Sequence, residues 1–278
     1  MGRVTARRPS TRVEVGPDGT RVVRRPDTVT VEEPLEIRVG GSPLAVTMRT
    51  PGDDFDLTIG FLLTEGLLAG ADDVATLMHC TDTGDDGSPT FNVVDVELQP
   101  GVVVPDVGLQ RSFATTSSCG VCGKRSIDTV RVRSPYDLSV DGTGVGPDVL
   151  AGLPAALREH QKVFDRTGGL HAAGLFSAGG ELLVVREDVG RHNAVDKIVG
   201  WAAREHRLPL AATVLMVSGR ISFELAQKAV MAGIPVLAAV SAPSSLAIDL
   251  AEEAGLTLVG FLRPPRMTVY AGLERLGL

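Results

Sequence analysis

Cys119-Gly120-Val121-Cys122 places two thiols at a spacing that lets both face one small electrophile, close a disulfide, or supply half of a zinc site. The flanking residues Thr115 to Ser118 and Gly123 are small and polar, which suits a solvated segment better than a core. Lys124 and Arg125 follow directly. A helix beginning at Gly123 would add positive potential, and both effects favour the thiolate, the form that attacks sulfur.

Three chemistries compete for this motif. A catalytic zinc site of the deaminase kind needs H-x-E with a downstream P-C-x-x-C. None of His79, His160, His171, His192 and His206 opens H-x-E, no Pro precedes Cys119, and there is no second C-x-x-C. A non-enzymatic zinc-binding chaperone module would need scattered further ligands. A thioredoxin-like dithiol oxidoreductase wants its motif at a strand–helix junction, and the preceding Thr-Ser run is a poor strand. The third chemistry is a persulfide relay. Cys119 would hold the transferable sulfur, and Cys122 would attack the inner sulfur to release the outer one. From the motif alone, relay and redox stay unranked.

A second set of candidates is cationic. Arg186 to Lys197 runs from a strand end into a helix and contains Gly190-Arg191. Ser218-Gly219-Arg220 does the same after Thr213 to Val217. Free N–H groups and the helix dipole make such junctions phosphate sites in α/β sheets, and Arg191 and Arg220 could clamp a diphosphate bidentately. One arginine so placed is usually a surface ion partner, but two at successive crossovers argue for a shared pocket. His171 and His192 read as structural histidines, and Asp188 and Asp196 as helix caps or partners of the arginines. A third cluster, Phe261-Leu262-Arg263-Pro264-Pro265-Arg266, leaves the last long strand with two rigidly spaced cations.

The elements that must hold these groups follow from periodicity. Leu35 to Val39 and Leu44 to Arg49 flank Gly40-Gly41-Ser42-Pro43, a hairpin signature. Asp53 or Asp54 can cap a helix running through Leu57, Phe61, Leu62 and Leu68. Val94, Val96 and Leu98 alternate with polar residues as a half-buried strand does. One amphipathic helix is expected through Leu150, Leu153, Leu157 and Phe164. Strands are expected at Leu170 to Phe176, Leu182 to Val185, Thr213 to Val217, Val236 to Val240 and Thr257 to Leu262. Helices at Arg191 to His206, Ser222 to Ala232 and Ser244 to Ala254 alternate with them, which implies a mostly parallel sheet covered on both faces.

Composition narrows the function class. Net charge is −7 and aromatic residues are 4% of the 278, which argues against a nucleic-acid coat or a base-stacking platform. Seven arginines between Arg3 and Arg25 read as a mobile, solvated tail. No apolar signal region follows them and no apolar run could span a bilayer, so the expectation is a cytoplasmic protein without membrane contact. Three cysteines make no disulfide framework, and Cys80 reads as an ordinary buried thiol.

Taken in order, Ser118 to Lys124, Glu187 to Lys197, Ser218 to Glu224, Gly233 to Leu237, Ser241 to Ala247 and Thr257 to Arg263 resemble the formate dehydrogenase accessory sulfurtransferase family, often called FdhD. The resemblance implies an α/β fold with a cytidine-deaminase-like three-layer C-terminal domain, lacking the deaminase zinc, and a smaller N-terminal α+β domain. With the patterning above, the chain is expected to divide into a tail (1–27), an α+β domain (28–111), a loop region bearing the motif (112–146) and the α/β domain (147–278). The resemblance also implies sulfur transfer from a cysteine desulfurase to the molybdenum cofactor, in its bis-guanine-dinucleotide form, before insertion into formate dehydrogenase. Cys119 takes the persulfide role in that comparison, and Phe261 to Arg266 match the cofactor-contacting stretch. A homodimer sharing one two-armed cofactor is expected. Pro264-Pro265 departs from the family's Gly after Arg, and removes backbone donors there.

Overall fold

The computed structural model describes residues 3–17, 19–83, 89–104, 113–114 and 133–278. Cys119 and Cys122 lie outside them. Strands β1 (Thr5–Gly16) and β2 (Gly19–Thr30) form an antiparallel ribbon in full register. This corrects the expectation of a tail. Val13, Val15, Val22, Val29 and the interleaved threonines supply β-branched residues, and the register sets Arg8 opposite Asp27 and Glu14 opposite Arg21.

The N-terminal unit is a five-stranded sheet with one helix. Its strands β3 (Glu33–Val39), β4 (Ser42–Arg49), β5 (Val74–Thr83), β6 (Pro89–Leu98) and the short β7 (Phe113–Ala114) lie in the order β5-β6-β3-β4-β7. Gly40 and Gly41 both take positive φ, 56° and 76°, which the two-residue β3–β4 turn demands. Cys80 on β5 is half-buried and free, more exposed than a core thiol. Helix α1 (Asp54–Thr64) stops short of Leu68. Gly66 turns the chain at φ 70°, and the N–H groups of Leu67 and Leu68 both reach back to the Leu62 carbonyl. Leu67 and Leu68 are still buried, so the apolar spacing registers packing beyond the helix end.

The C-terminal unit is a six-stranded sheet between helical layers. Its strands are β8 (His171–Ser177), β9 (Leu182–Asp188), β10 (Thr213–Val217), β11 (Val236–Ala239), β12 (Thr257–Arg263) and β13 (Arg266–Ala271), in the order β13-β12-β11-β10-β8-β9. Only β10–β11 and β11–β12 pair in parallel; β8 and β13 run against their neighbours, so the sheet is mixed. Alternate residues face opposite layers. Val214, Met216, Val236 and Ala238 pack toward α2 (Pro147–Glu159) with Leu150, Leu153 and Leu157. Leu215, Val217, Leu237 and Ala239 pack toward α4 (Arg191–Arg204), α5 (Phe223–Met231) and α6 (Ser245–Ala254).

The expected single helix through Phe164 is two. Helix α3 (Lys162–Thr167) begins afresh because the Glu187 carboxylate accepts the N–H groups of Val163 and Phe164, at 2.9 and 2.8 Å. The two units meet where α1 crosses α4. A Cβ on Gly60 would lie 1.8 Å from the Asp196 carbonyl oxygen, and one on Gly200 1.8 Å from that of Asp56. Only glycine permits that approach.

Candidate functional site

Strands β9, β10, β11 and β12 all point their C-terminal ends to one edge of the mixed sheet, where β8 begins. That edge collects most of the cationic and polar groups singled out in the sequence. Gly219 follows β10, and a methyl group there would sit 3.5 Å from His171 Nδ1 and 3.9 Å from Arg191 Cδ. His171, Arg191 and Gly219 are therefore neighbours, although they come from the start of β8, the start of α4 and the exit of β10. Arg191 is half-buried and Arg220 exposed.

The loop carrying Arg191 is held from below. Asp188 is fully buried and accepts from Gly190 N–H (2.8 Å), Asn193 Nδ2 (2.9 Å) and Thr50 N–H (3.1 Å). Its charge is balanced by Lys197 Nζ at 2.8 Å, which also donates to the Thr50 carbonyl. Asn193 in turn donates to the Met48 carbonyl. The end of β4 is thus bonded directly beneath the α4 N-terminus. Asp196 is buried beside Lys228 at 2.8 Å and accepts from Thr64 Oγ1, between α1, α4 and α5. Neither acid pairs with Arg191 or Arg220 among these contacts; lysines take that place.

The second junction is similarly braced. Ser218 completes the β8–β10 ladder, its N–H donating to the Ala172 carbonyl and its hydroxyl accepting the Ala172 N–H. His192 Nε2 lies 3.2 Å from Ser222 Oγ and 3.8 Å from Glu224 Oε2, which ties the starts of α4 and α5 together. Burial, reinforced by the Arg191 guanidinium, holds the His171 imidazole below its ordinary pKa, against the pull of Asp188. His171 is accordingly neutral at pH 7, leaving the arginines as the site's cations.

A cleft of about 610 Å³ opens beside this edge, lined by His171, Ser218, Val189, Gln161, Phe164 and Val240 among others. Gln161 is buried there. Sequence reading missed this wall, because the α2–α3 break that creates it depends on Glu187, distant in the chain.

The segment Phe261 to Arg266 turns at the same edge. Leu262 is fully buried in the core facing α2, so its side chain is not a ligand group. Phe261 takes φ 49° and is 45% exposed, and its N–H is already given to the Ser241 carbonyl. Pro264 and Pro265 have no N–H. What the turn offers are the exposed Arg263 and Arg266, opposite each other across the hairpin, with Arg263 Nε bonded to the Val240 carbonyl. Among the described residues no group of three or more His, Cys, Asp or Glu could hold a metal, and no helix is long and apolar enough to cross a membrane.

The FdhD/NarQ family model matches residues 30–277. The chain belongs to that family. It is 61% identical to the sulfur carrier protein FdhD of Streptomyces avermitilis, over 100% of this chain and 98% of that protein. It is 58% identical to the FdhD of Mycolicibacterium paratuberculosis, over 99% and 100%. The crystal structure of a putative formate dehydrogenase accessory protein from Desulfotalea psychrophila has the same fold, with TM-score 0.72 and 23% identity over 97% of this chain and 98% of that one. In this FdhD/NarQ chain, Gly219, beyond the end of β10, lies beside Arg191 at the start of α4.

Proposed function

We propose that the chain is a sulfurtransferase that carries sulfur as a persulfide on Cys119 and delivers it to the molybdenum cofactor destined for formate dehydrogenase. The cofactor, in its bis-guanine-dinucleotide form, is the substrate here. The observation that carries the reading is the meeting of Gly190-Arg191, at the start of α4, with Gly219-Arg220, in the loop between β10 and α5, at one sheet edge beside a cleft of nucleotide size. Family membership and relatives named as sulfur carriers support the sulfur half.

In the loading step the Cys119 thiolate attacks the outer sulfur of the desulfurase persulfide, and the desulfurase cysteine leaves as a thiolate. In the release step the Cys122 thiolate attacks the inner sulfur of Cys119–S–SH. Hydrosulfide departs toward the cofactor metal, and the Cys119–Cys122 disulfide that remains is reset by an external dithiol. Lys124 and Arg125 favour the thiolates. Arg191, Arg220, Arg263 and Arg266 hold diphosphate oxygens, with the Gly219 backbone able to approach the ligand closely.

Mass spectrometry after incubation with a cysteine desulfurase and cysteine tests the reading. One added sulfur on the wild type, and none on Cys119→Ala, is expected. Rapid disulfide reduction with no such adduct would instead mark a dithiol oxidoreductase.

A further inference from the structure

Among the described residues, buried polar side chains are paired, with one exception. Asp188, Asn193, Asp196 and Lys228 each hold ion-pair or hydrogen-bond partners. Gln161 is only 5% exposed, yet no described residue bonds to its side-chain amide. Its backbone is already engaged, the N–H on the Arg158 carbonyl and the carbonyl on the Asp165 N–H. Nor does the side chain cap α3, where Glu187 takes the N–H groups of Val163 and Phe164 instead. A buried amide without partners is costly, and native proteins keep few of them. This one lines the cleft of about 610 Å³.

The two walls of the cleft differ in charge. On the sheet side stand His171, Val189, Ser218 and Val240. Val189 and Ser218 directly precede Gly190-Arg191 and Gly219-Arg220, and the Val240 carbonyl holds Arg263. On the helical side stand Leu157, Arg158, Gln161 and Phe164, around the α2–α3 break. The cation there, Arg158, is paired with Asp165 and lies over the Phe164 ring. The Glu187 carboxylate sits close behind, on the start of α3. Phosphate is therefore drawn to the sheet side and disfavoured on the helical side, where Leu157 and Phe164 suit the faces of a planar ring. A nucleoside diphosphate satisfies both walls at once. We propose that Gln161 is the base-reading residue of this cleft. Its amide takes the edge of guanine that carries O6 and the N1 proton, donating through Nε2 to O6 and accepting the N1–H through Oε1. The inference rests on the cofactor reading above, which supplies the guanine, and adds where that base lies and what recognises it. A site of this kind also rejects a base without that edge, because its own buried amide then stays unpaired.

Calorimetry on the full-length chain tests it with GDP, with inorganic pyrophosphate, and with the 2-aminopurine analogue of GDP, which keeps the purine but lacks O6 and the N1 proton. The wild type should bind GDP at least about tenfold tighter than the analogue. Gln161→Leu should bind GDP and the analogue within about twofold of each other, with its pyrophosphate affinity and circular dichroism unchanged. The wild-type comparison stands whether or not the variant folds. Equal wild-type affinities for GDP and the analogue, or a folded Gln161→Leu that keeps the preference, would overturn the proposal and leave the arginine site in place. A wild type that binds neither GDP nor pyrophosphate would overturn it together with the cofactor reading. The pterin half of the cofactor carries the same edge. Binding of 6-hydroxymethylpterin in place of GDP, with the same dependence on Gln161, would overturn guanine as the occupant.

Discussion

Asp188 and Asp196 stand in the same stretch, Glu187 to Lys197, and each is buried within 2.8 Å of a lysine. Their surroundings separate them. Asp188 takes N–H groups from the loop it precedes and from Thr50 of the N-terminal unit, so its lone pairs are spent on the backbone that presents Arg191. Asp196 takes a lysine from α5 and a hydroxyl from α1. Burial pushes the Asp196 carboxyl above its ordinary pKa, with the Lys228 charge opposing. Two similar ion pairs thus do different work: one shapes the loop that presents Arg191, the other joins helices α1, α4 and α5. What a buried pair does is decided by the partners that saturate it.

The largest expected effect is shared by both. Asp188→Ala and Asp196→Ala each leave a buried lysine uncompensated, and each should cost about 3–5 kcal/mol by urea unfolding. A small loss at Asp188 would mean that its loop is held by other contacts. Next, Arg220→Ala should weaken GDP binding by about 1.5–3 kcal/mol in calorimetry, the loss of one charged hydrogen bond. Unchanged affinity would take Arg220 out of the site.

The comparison sharpens with asparagine. Asp188→Asn should reduce GDP affinity several-fold and Asp196→Asn should not, although both lower stability. If Asp188 acts through Arg191, adding Asp188→Asn to Arg191→Ala should cost no further affinity, a double-mutant cycle far from additivity. Equal losses for the two asparagines would erase the distinction.

The smallest effect is in pH dependence. His171 has a folded-state pKa below 6.5, so the unfolded chain binds more protons just below that pH, and stability falls as pH drops through 6.5 toward the folded value. His171→Gln should flatten that slope in urea midpoints. Asp196 has the opposite sign: its raised folded pKa makes stability fall as pH rises from 3.8 to the raised value, and Asp196→Asn should remove that slope.

Much of the C-terminal sheet was legible because its strands are short apolar runs separated by amphipathic helices. Thr213–Val217 emerges as read, and Ser244 caps α6 through the Ala247 N–H. Strand β13 was not legible, since Arg266 to Ala271 is no more than partly buried and follows two prolines, and its antiparallel return along β12 is part of what makes the sheet mixed. The ribbon was hidden by its arginines, although the valine alternation and Gly16-Pro17-Asp18-Gly19 between the strands were present. At the site, Gly190-Arg191 was readable as a helix start beyond a strand end, whereas Gly219-Arg220, expected to do the same, lies in the loop before α5, whose cap is Ser222. That His171 would lie against both, or that Asp188 would choose Lys197, depends on contacts distant in sequence.

The contact of Gly60 with Gly200 has a consequence for how the molecule comes apart. With no room for a single methyl group between α1 and α4, the two halves cannot slide or hinge across this seam without separating it altogether. Heat or denaturant should therefore melt both sheets in a single transition. A chimera that grafts either half onto a relative must carry the matching glycine to join at all.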